Sequence, residues 1–434
     1  MGINGLKPLI LKYAPNAIRC SGFTLKDLNG QLVAIDASIY IYKYLFSEVF
    51  GPGVSDMERI VISMCDDALF FMMKGITPVY IFDGKPPETK VYTLNKRENC
   101  REKYTQEISQ LSDDNASILA GPDTQRQIEK NTERIMSLQK RSKRVTPEIR
   151  DTIKRVFDLL GVPNIKANGE AEVLCAYLNK TGAVAACISN DTDLIALGAP
   201  LLILPFSRTK PVVTSYKYSD ILAGMGLTSA QFRDVCILCG CDYIPDVTCK
   251  IKGMGPIRAY TSIHKYGSIE GVIKNTLSGG ETLPANFMAY TADARANFTN
   301  REYTNTDMLK EALKVNISVP GLKTVLKDIT NQRKIAKITD TVEYLQSKMS
   351  VAHKTVKTTH TQTQPQTQPQ TLTQPVVKVA PKPTVIKPPA VLNDKKSRLR
   401  MKSKASLDNK NNSKKIQQKK ELKREKKKEM KKIK

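Results

Sequence analysis

Nowhere in this 434-residue chain is there an apolar run of the about 18 residues that marks a transmembrane helix. Its opening residues carry no apolar signal segment, so no membrane-spanning or secreted role is expected. Disulfide architecture is equally unsupported: nine cysteines are scattered along the chain, a usage that fits a reducing intracellular compartment. Histidine is scarce, with three in all, and no His or Cys set has convincing metal-ligand spacing. Cys236, Cys239, Cys241 and Cys249 lie close together, but their spacing matches none of the usual zinc or iron–sulfur patterns, and Cys236 and Cys239 fit the buried face of a helix. The opening MGINGL places Leu6 where a myristoylation signal needs Ser or Thr, so Gly2 is not expected to carry a lipid.

Acidic charge thins out toward the C-terminus. Residues 351–434 hold 24 Lys or Arg against 5 Asp or Glu, which accounts for most of the chain's net charge of +26. A strongly basic tail behind a mildly basic body suits a polyanionic partner. The tail opens with TTHTQTQPQTQPQTLTQP and closes with KKIQQKKELKREKKKEMKKIK. The first has too little apolar surface to fold; the second is a solvated tail, a nuclear address or a phosphate-binding run.

Three short apolar runs each end in an acid: LVAIDAS at Asp36, TPVYIFDGKPP at Asp83 and AVAACISNDTD at Asp191. Runs of this length, separated by longer helical patterns, predict buried parallel strands of an α/β sheet. Ligands of such sheets gather at the carboxyl ends of the strands, where all three acids fall. Glu170 and Glu172 open a helical pattern behind Gly169, Asp193 follows Asp191, and Asp242 follows the apolar stretch ending CILCGCD. Each has an ordinary alternative, since acids favour helix N-termini and turns. Recurrence at separate strand ends has no such common explanation. Two carboxylates about 4 Å apart repel by roughly 4 kcal/mol at an effective dielectric of about 20, so clustered acids need a cation or a proton. All-oxygen ligands select a hard ion, Mg²⁺ or Mn²⁺.

Residues 88–160 read as mostly helical, with a loop expected at SDDNASILAGPD. Within this stretch Lys90, Arg97 and Arg101 share one helical face, and Lys140, Arg141, Lys143 and Arg144 form a second basic group. A cationic stripe beside a carboxylate cluster can clamp a substrate phosphate. Gly253 and Gly255, in GMGP before a helix starting at Pro256, offer backbone N–H groups and a positive helix end to a phosphate. Of Tyr40, Tyr42 and Tyr44, any could pack in the core or stack on a nucleobase.

In this order MGINGL, VAIDASIYIY, VYIFDGKPPETK, GEAEVLCAYL, ISNDTDLIALG, CILCGCDY and GMGPIRA resemble the flap endonuclease branch of the structure-specific 5′ nuclease (XPG/Rad2) family, over roughly residues 1–275. The resemblance implies a PIN-like, twisted, mostly parallel sheet flanked by helices, a helical arch, a helix-two-turn-helix element and two divalent metals, Mg²⁺ with Mn²⁺ able to substitute. It implies Asp36, Asp83, Glu170, Glu172, Asp191, Asp193 and Asp242 as metal ligands, and Lys90 and Arg97 as catalytic contacts to the scissile phosphate. Gly2, Tyr42, Arg101, Gly253 and Gly255 become DNA contacts, with K⁺ at the glycine-loop carbonyls. The expected activity is cleavage of 5′-flapped DNA in replication and repair, leaving a 5′-phosphate; a 5′–3′ exonuclease, a junction-resolving nuclease and a non-catalytic scaffold are the alternatives.

The expected division is a nuclease region over 1–104, an arch over 105–145, an internal nuclease region over 146–275 with the helix-two-turn-helix at about 219–275, the rest of the folded body over 276–350, and a disordered basic tail over 351–434. Val49 stands where the family usually has arginine, and Cys100 replaces one basic arch residue. The tail has no sliding-clamp motif, and the expected protein is a monomer acting on branched DNA inside the cell, in the nucleus or a viral replication compartment.

Overall fold

Leu32–Asp36 has Val33, Ala34 and Ile35 wholly removed from solvent, and that burial on both faces is what an apolar run uninterrupted by polar residues demands of a strand. In the computed structural model this run is β2 of a seven-stranded sheet: β1 Ile18–Arg19, β2 Leu32–Asp36, β3 Thr77–Phe82, β4 Asn164–Lys166, β5 Ala186–Ile188, β6 Leu201–Ile203 and β7 Ser215–Lys217. The structure describes residues 2–19, 24–47, 50, 53–117, 124–206, 213–244, 250–276, 283–299, 303–327 and 329–359.

The strand order is β1-β7-β6-β5-β2-β3-β4. Pairs β2–β3, β2–β5, β3–β4 and β5–β6 are parallel, while β1–β7 and β6–β7 are antiparallel. The two antiparallel pairs lie at one edge, so the sheet is mostly parallel, as expected. Strand β2 sits between β3 and β5, so the chain leaves it on opposite sides, and this reversal is where α/β sheets place their ligands.

Alternation across the pleat divides the core in two. Ala34, Val79, Ile81 and Cys187 face one hydrophobic cluster. Their neighbours Val33, Ile35, Tyr80, Phe82, Ala186 and Ile188 face the other. Helices Leu6–Tyr13, Ala171–Lys180, Ser229–Cys239 and Pro256–Tyr266 cover the first face; Ala37–Leu45, Asp56–Met73, Pro147–Leu159 and the first part of Gln332–Thr359 cover the second. Each fully buried Val, Ile or Phe contributes roughly 1.5–3 kcal/mol to this arrangement. Cys236, Cys239 and Cys241 are buried thiols in the first core, and Cys249 lies outside the described residues.

Two features differ from expectation. The helix Val91–Ser117 is continuous, so Ser112–Ser117 is helix rather than loop. The stretch is held by its antiparallel neighbour Thr124–Ser142, where Asn131 Nδ2 donates to Asn115 Oδ1 at 2.8 Å and Arg134 Nε to Glu107 Oε1 at 2.8 Å. Tertiary pairing here overrides the turn tendency of Ser, Asp and Asn. The last helix, Gln332–Thr359, also runs nine residues past the expected end of the folded body at 350; once nucleated, a helix propagates at little cost per residue. Residues 360–434, Val49 and residues 118–123 of the expected loop lie outside the described residues.

Candidate active site

Parallel pairing of β5, β2 and β3 brings three acids to one sheet edge. Asp36 is the last residue of β2, Asp83 follows Phe82 of β3, and Asp191 comes shortly after Ile188 of β5. Asp36 serves its own helix as well: its Oδ1 accepts from Ser38 N at 3.0 Å and Ile39 N at 3.4 Å, capping Ala37–Leu45. Its other oxygen accepts from Ser189 Oγ at 3.3 Å. Asp83 takes the Ser38 hydroxyl on one oxygen and Ala171 N, at 2.9 Å, on the other. The strand end is thereby tied to the helix that carries the two glutamates.

Glu170 is the N-cap of Ala171–Lys180 yet makes no capping bond with its side chain. That leaves it free to point with Glu172 toward the aspartates, the loop-to-helix placement that lets residues i and i+2 share one site. Tyr243 donates to Glu170 Oε2 at 2.8 Å. Asp36, Asp83, Glu170, Glu172, Asp191 and Asp242 line one cavity of about 270 Å³ together with Tyr42, Lys90, Arg97 and Arg101. Asp193 sits just beneath, 1% exposed, with its backbone N–H on Asp191 Oδ1 at 3.0 Å.

The electrostatics of the cavity are those of acids short of positive charge. Burial, then Asp83 and Asp191, push the Asp36 carboxyl up to about 8. Burial and Glu170 raise Glu172, and burial and Asp191 raise Asp193. Lys90 is the buried counter-charge: its ammonium pairs with Glu170, with Glu172 at 3.4 Å and with Asp242 at 3.8 Å. Burial alone lowers its pKa, but Glu172 and Glu170 more than offset this and the net shift is upward. Arg97 Nη2 meets Asp242 Oδ2 at 2.7 Å, and Arg101 pairs with Glu98 at 3.4 Å.

A hard divalent cation fits this donor set. Every available ligand atom is oxygen, the seven carboxylates are paired with two cations, Lys90 and Arg97, and the buried Asp193 Oδ1 has no hydrogen-bond partner among the described residues. As the side chains stand, no three acidic, imidazole or thiol groups among the described residues close to ion-holding distance, and the Lys90 ammonium lies among Glu170, Glu172 and Asp242.

Of the remaining predicted residues, some lie at this centre and some away from it. A Cβ on Gly2, whose φ is +93°, would run into Asp191 Oδ1 and Thr192 Oγ1; only glycine lets the chain start this close to the acids. Tyr42 stacks on Phe46 at 6.3 Å and lines the cavity, whereas Tyr40 and Tyr44 are buried and belong to the core. Gly253, with φ +71°, and Gly255, the N-cap of Pro256–Tyr266, lie apart from the acid cavity. They are joined to it by the N-terminal helix, for Gly5 packs on Pro256 while Ile3 N donates to Thr192 Oγ1 at 2.8 Å.

Sequence reasoning missed Ser38, Ser189 and Tyr243, which orient the carboxylates, and Arg150, which lines the cavity from Pro147–Leu159. Ser38 and Tyr243 adjoin predicted acids in sequence and could have been found from that. Arg150 carries no local signal.

The XPG N-terminal domain matches residues 1–104 and the XPG I-region residues 161–242, and these two spans contain all seven acids, Lys90, Arg97 and Arg101. The fold is shared with flap endonuclease-1 from Methanococcus jannaschii, at 21% identity, TM-score 0.52 and coverage of 76% of this chain and 97% of that one. It is shared too with the catalytic core of Rad2 solved with a DNA substrate, at 19% identity, TM-score 0.51 and coverage of 79% and 100%. Flap endonuclease 1 of Entamoeba dispar is 34% identical over 296 residues, 66% of this chain and 73% of that protein. At that identity and coverage, with its acid cluster carried inside both matched domains, the chain belongs to the flap endonuclease family and is a nuclease that hydrolyses phosphodiester bonds.

Proposed function

We propose that this protein is a structure-specific endonuclease that removes 5′ flaps from branched DNA during replication and repair, using two Mg²⁺ ions, replaceable by Mn²⁺, and leaving a 5′-phosphate and a 3′-hydroxyl. The observation that carries the reading is the meeting of carboxylates from β2, β3, β5 and two helix junctions with three cations at the foot of a long helical pair. Such a site neutralises a polyanion and attacks it at once; a purely binding surface has no use for seven acids facing phosphate.

Asp36, Asp83, Glu170, Glu172, Asp191, Asp193 and Asp242 would hold the metal. Divalent cations there supply Lewis-acid stabilisation of the phosphodiester and a more acidic attacking water. The protein's own part is positioning and charge. As the scissile phosphate arrives, Lys90 and Arg97 exchange their carboxylate partners for its oxygens and stabilise the charge that grows on them. Arg101 and Arg150 hold neighbouring phosphates, and Tyr42 stacks on the base beside the cut. Gly253 and Gly255 present backbone to the duplex, with K⁺ at their carbonyls, so recognition is by shape and backbone rather than by base edges. The chain acts as a monomer inside the cell, in a nucleus or a viral replication compartment, and its lysine-rich terminus adds salt-sensitive contact to DNA.

The test is Asp193→Asn against an end-labelled 5′ flap in Mg²⁺, with a nicked duplex and a four-way junction alongside. Cleavage should fall at least about 100-fold, since loss of even a supporting group in a metal site costs up to that much, and the wild type should prefer the flap. Undiminished cleavage by the variant would reject the shared-metal assignment, and preference for the junction would make the protein a resolvase instead.

A further inference from the structure

A second cavity, of about 500 Å³, adjoins the acid site and shares Pro86, Gly169 and Glu170 with it. Its remaining wall comes from Lys85 and Glu88 after β3, Asn168 after β4, and Asn297 on the helix Phe287–Thr299. Asn297 Nδ2 donates to Thr89 Oγ1 at 3.1 Å, fixing that helix to the turn that carries Lys90. The volume lies within the range of about 300–1,000 Å³ typical of small-molecule sites, and so accommodates one nucleotide.

Its position on the sheet edge gives it a direction. Reading across the strands, Asp191 stands at β5, Asp36 at β2, Asp83 at β3, and the loop that walls the second cavity follows β4. The glycine loop and Gly2 are coupled to the Asp191 end. A strand whose duplex is gripped at that end and which crosses the carboxylates therefore emerges over β4, in the second cavity. Lys85 is the one cation exposed there without an ion-pair partner among the described residues, while Lys90, which lines the first cavity only, is occupied by Glu170. Two asparagine amides offer donors and acceptors that suit any base, and the adjacent prolines give it an apolar face. With Glu88 beside Lys85, the wall suits one phosphate rather than a run of them.

We propose that this cavity is a subsite for the first nucleotide on the displaced side of the scissile phosphate, with the Lys85 ammonium holding that nucleotide's own 5′ phosphate; the proposal rests on the nuclease reading above. A released mononucleotide that began with a 5′-hydroxyl has no phosphate to place on Lys85, whereas one that began with a 5′-phosphate has. The experiment compares these two ends in nicked DNA from which one nucleotide is removed, by single-turnover cleavage in Mg²⁺ with the full chain. Wild type should favour the 5′-phosphorylated end by about tenfold, the scale of one charge-assisted hydrogen bond. Lys85→Ala should remove the preference by slowing only the phosphorylated substrate, and Lys85→Arg should retain it. A preference that survives Lys85→Ala, or none in the wild type, overturns the subsite while leaving the nuclease intact. Failure of the wild type to cut either substrate or a 5′ flap would instead sink the nuclease reading itself.

Discussion

Replacing Lys90 with methionine keeps most of the stem and removes only the ammonium, which makes it the sharpest probe of the acid cluster. The side chain is 11% exposed and its two glutamate partners 8% each. Arg97 still covers Asp242 in the variant, so the uncompensated charges are Glu170 and Glu172. Stripping one partner from a buried ion pair costs about 3–5 kcal/mol. With an unfolding entropy of about 2.1 cal/mol/K per residue and a folded body of roughly 340 residues, that is a fall of about 4–7 °C in Tm. Protonation limits the loss, because burial and Glu170 already raise Glu172, so the fall should be smaller at pH 6 than at pH 8. A divalent ion replaces the missing positive charge and should shrink it further. The chain has no tryptophan, so the melt is followed by circular dichroism, in EDTA and in Ca²⁺ at both pH values. Single-turnover cleavage in Mg²⁺ should drop by about 10²–10³ with DNA affinity nearly unchanged. A loss of stability equal in all four buffers, or a defect confined to binding, would refute the idea that this ammonium holds the place of the metal.

Two further outcomes follow from the same cluster. In the metal-free protein Asp36 keeps its proton up to about pH 8, well above an unfolded aspartate at about 4; the folded state binds the proton more tightly, so Tm should be highest at low pH within this window, decline as pH rises from about 5 to 8, and flatten when Mg²⁺ is added, whereas a decline that persists in saturating Mg²⁺ would place its cause elsewhere. Gly2→Ala puts a methyl group against Asp191 Oδ1 and Thr192 Oγ1 and forces a side chain onto φ +93°; we expect roughly tenfold slower cleavage and a higher Mg²⁺ requirement with Tm within about 1 °C of wild type, and unaltered metal titration would show that the N-terminus does not shape the site.

How far the site could be seen in the sequence depends on the range of the interaction that makes each part. The acids of β2, β3 and β5 were legible because each closes an apolar run, and a parallel sheet must deliver such run ends to one edge. Lys90, Arg97 and Arg101 were legible because helical period alone puts them on one face. Tyr42 could not be separated from Tyr40 and Tyr44 until packing buried the other two. Strands β1 and β7, two and three residues long, carry no periodicity to read, and the helical state of Ser112–Ser117 comes from a partner helix rather than from its own residues.

The cation pairing was the least legible feature and has the largest consequence. Sequence spacing predicts that seven acids need positive charge, and it predicts a basic stripe beside them, but it treats the two as facing a common substrate. In the folded chain they face each other: Lys90 lies between Glu170, Glu172 and Asp242, and Arg97 on Asp242. Desolvation makes this so, because neither the buried carboxylates nor the buried ammonium is tolerable alone. The same groups that would stabilise a transition state thus offset part of the acids' charge in the resting site. A phosphate that drew Lys90 or Arg97 onto itself would leave their carboxylates in need of another positive charge, which a divalent ion would supply.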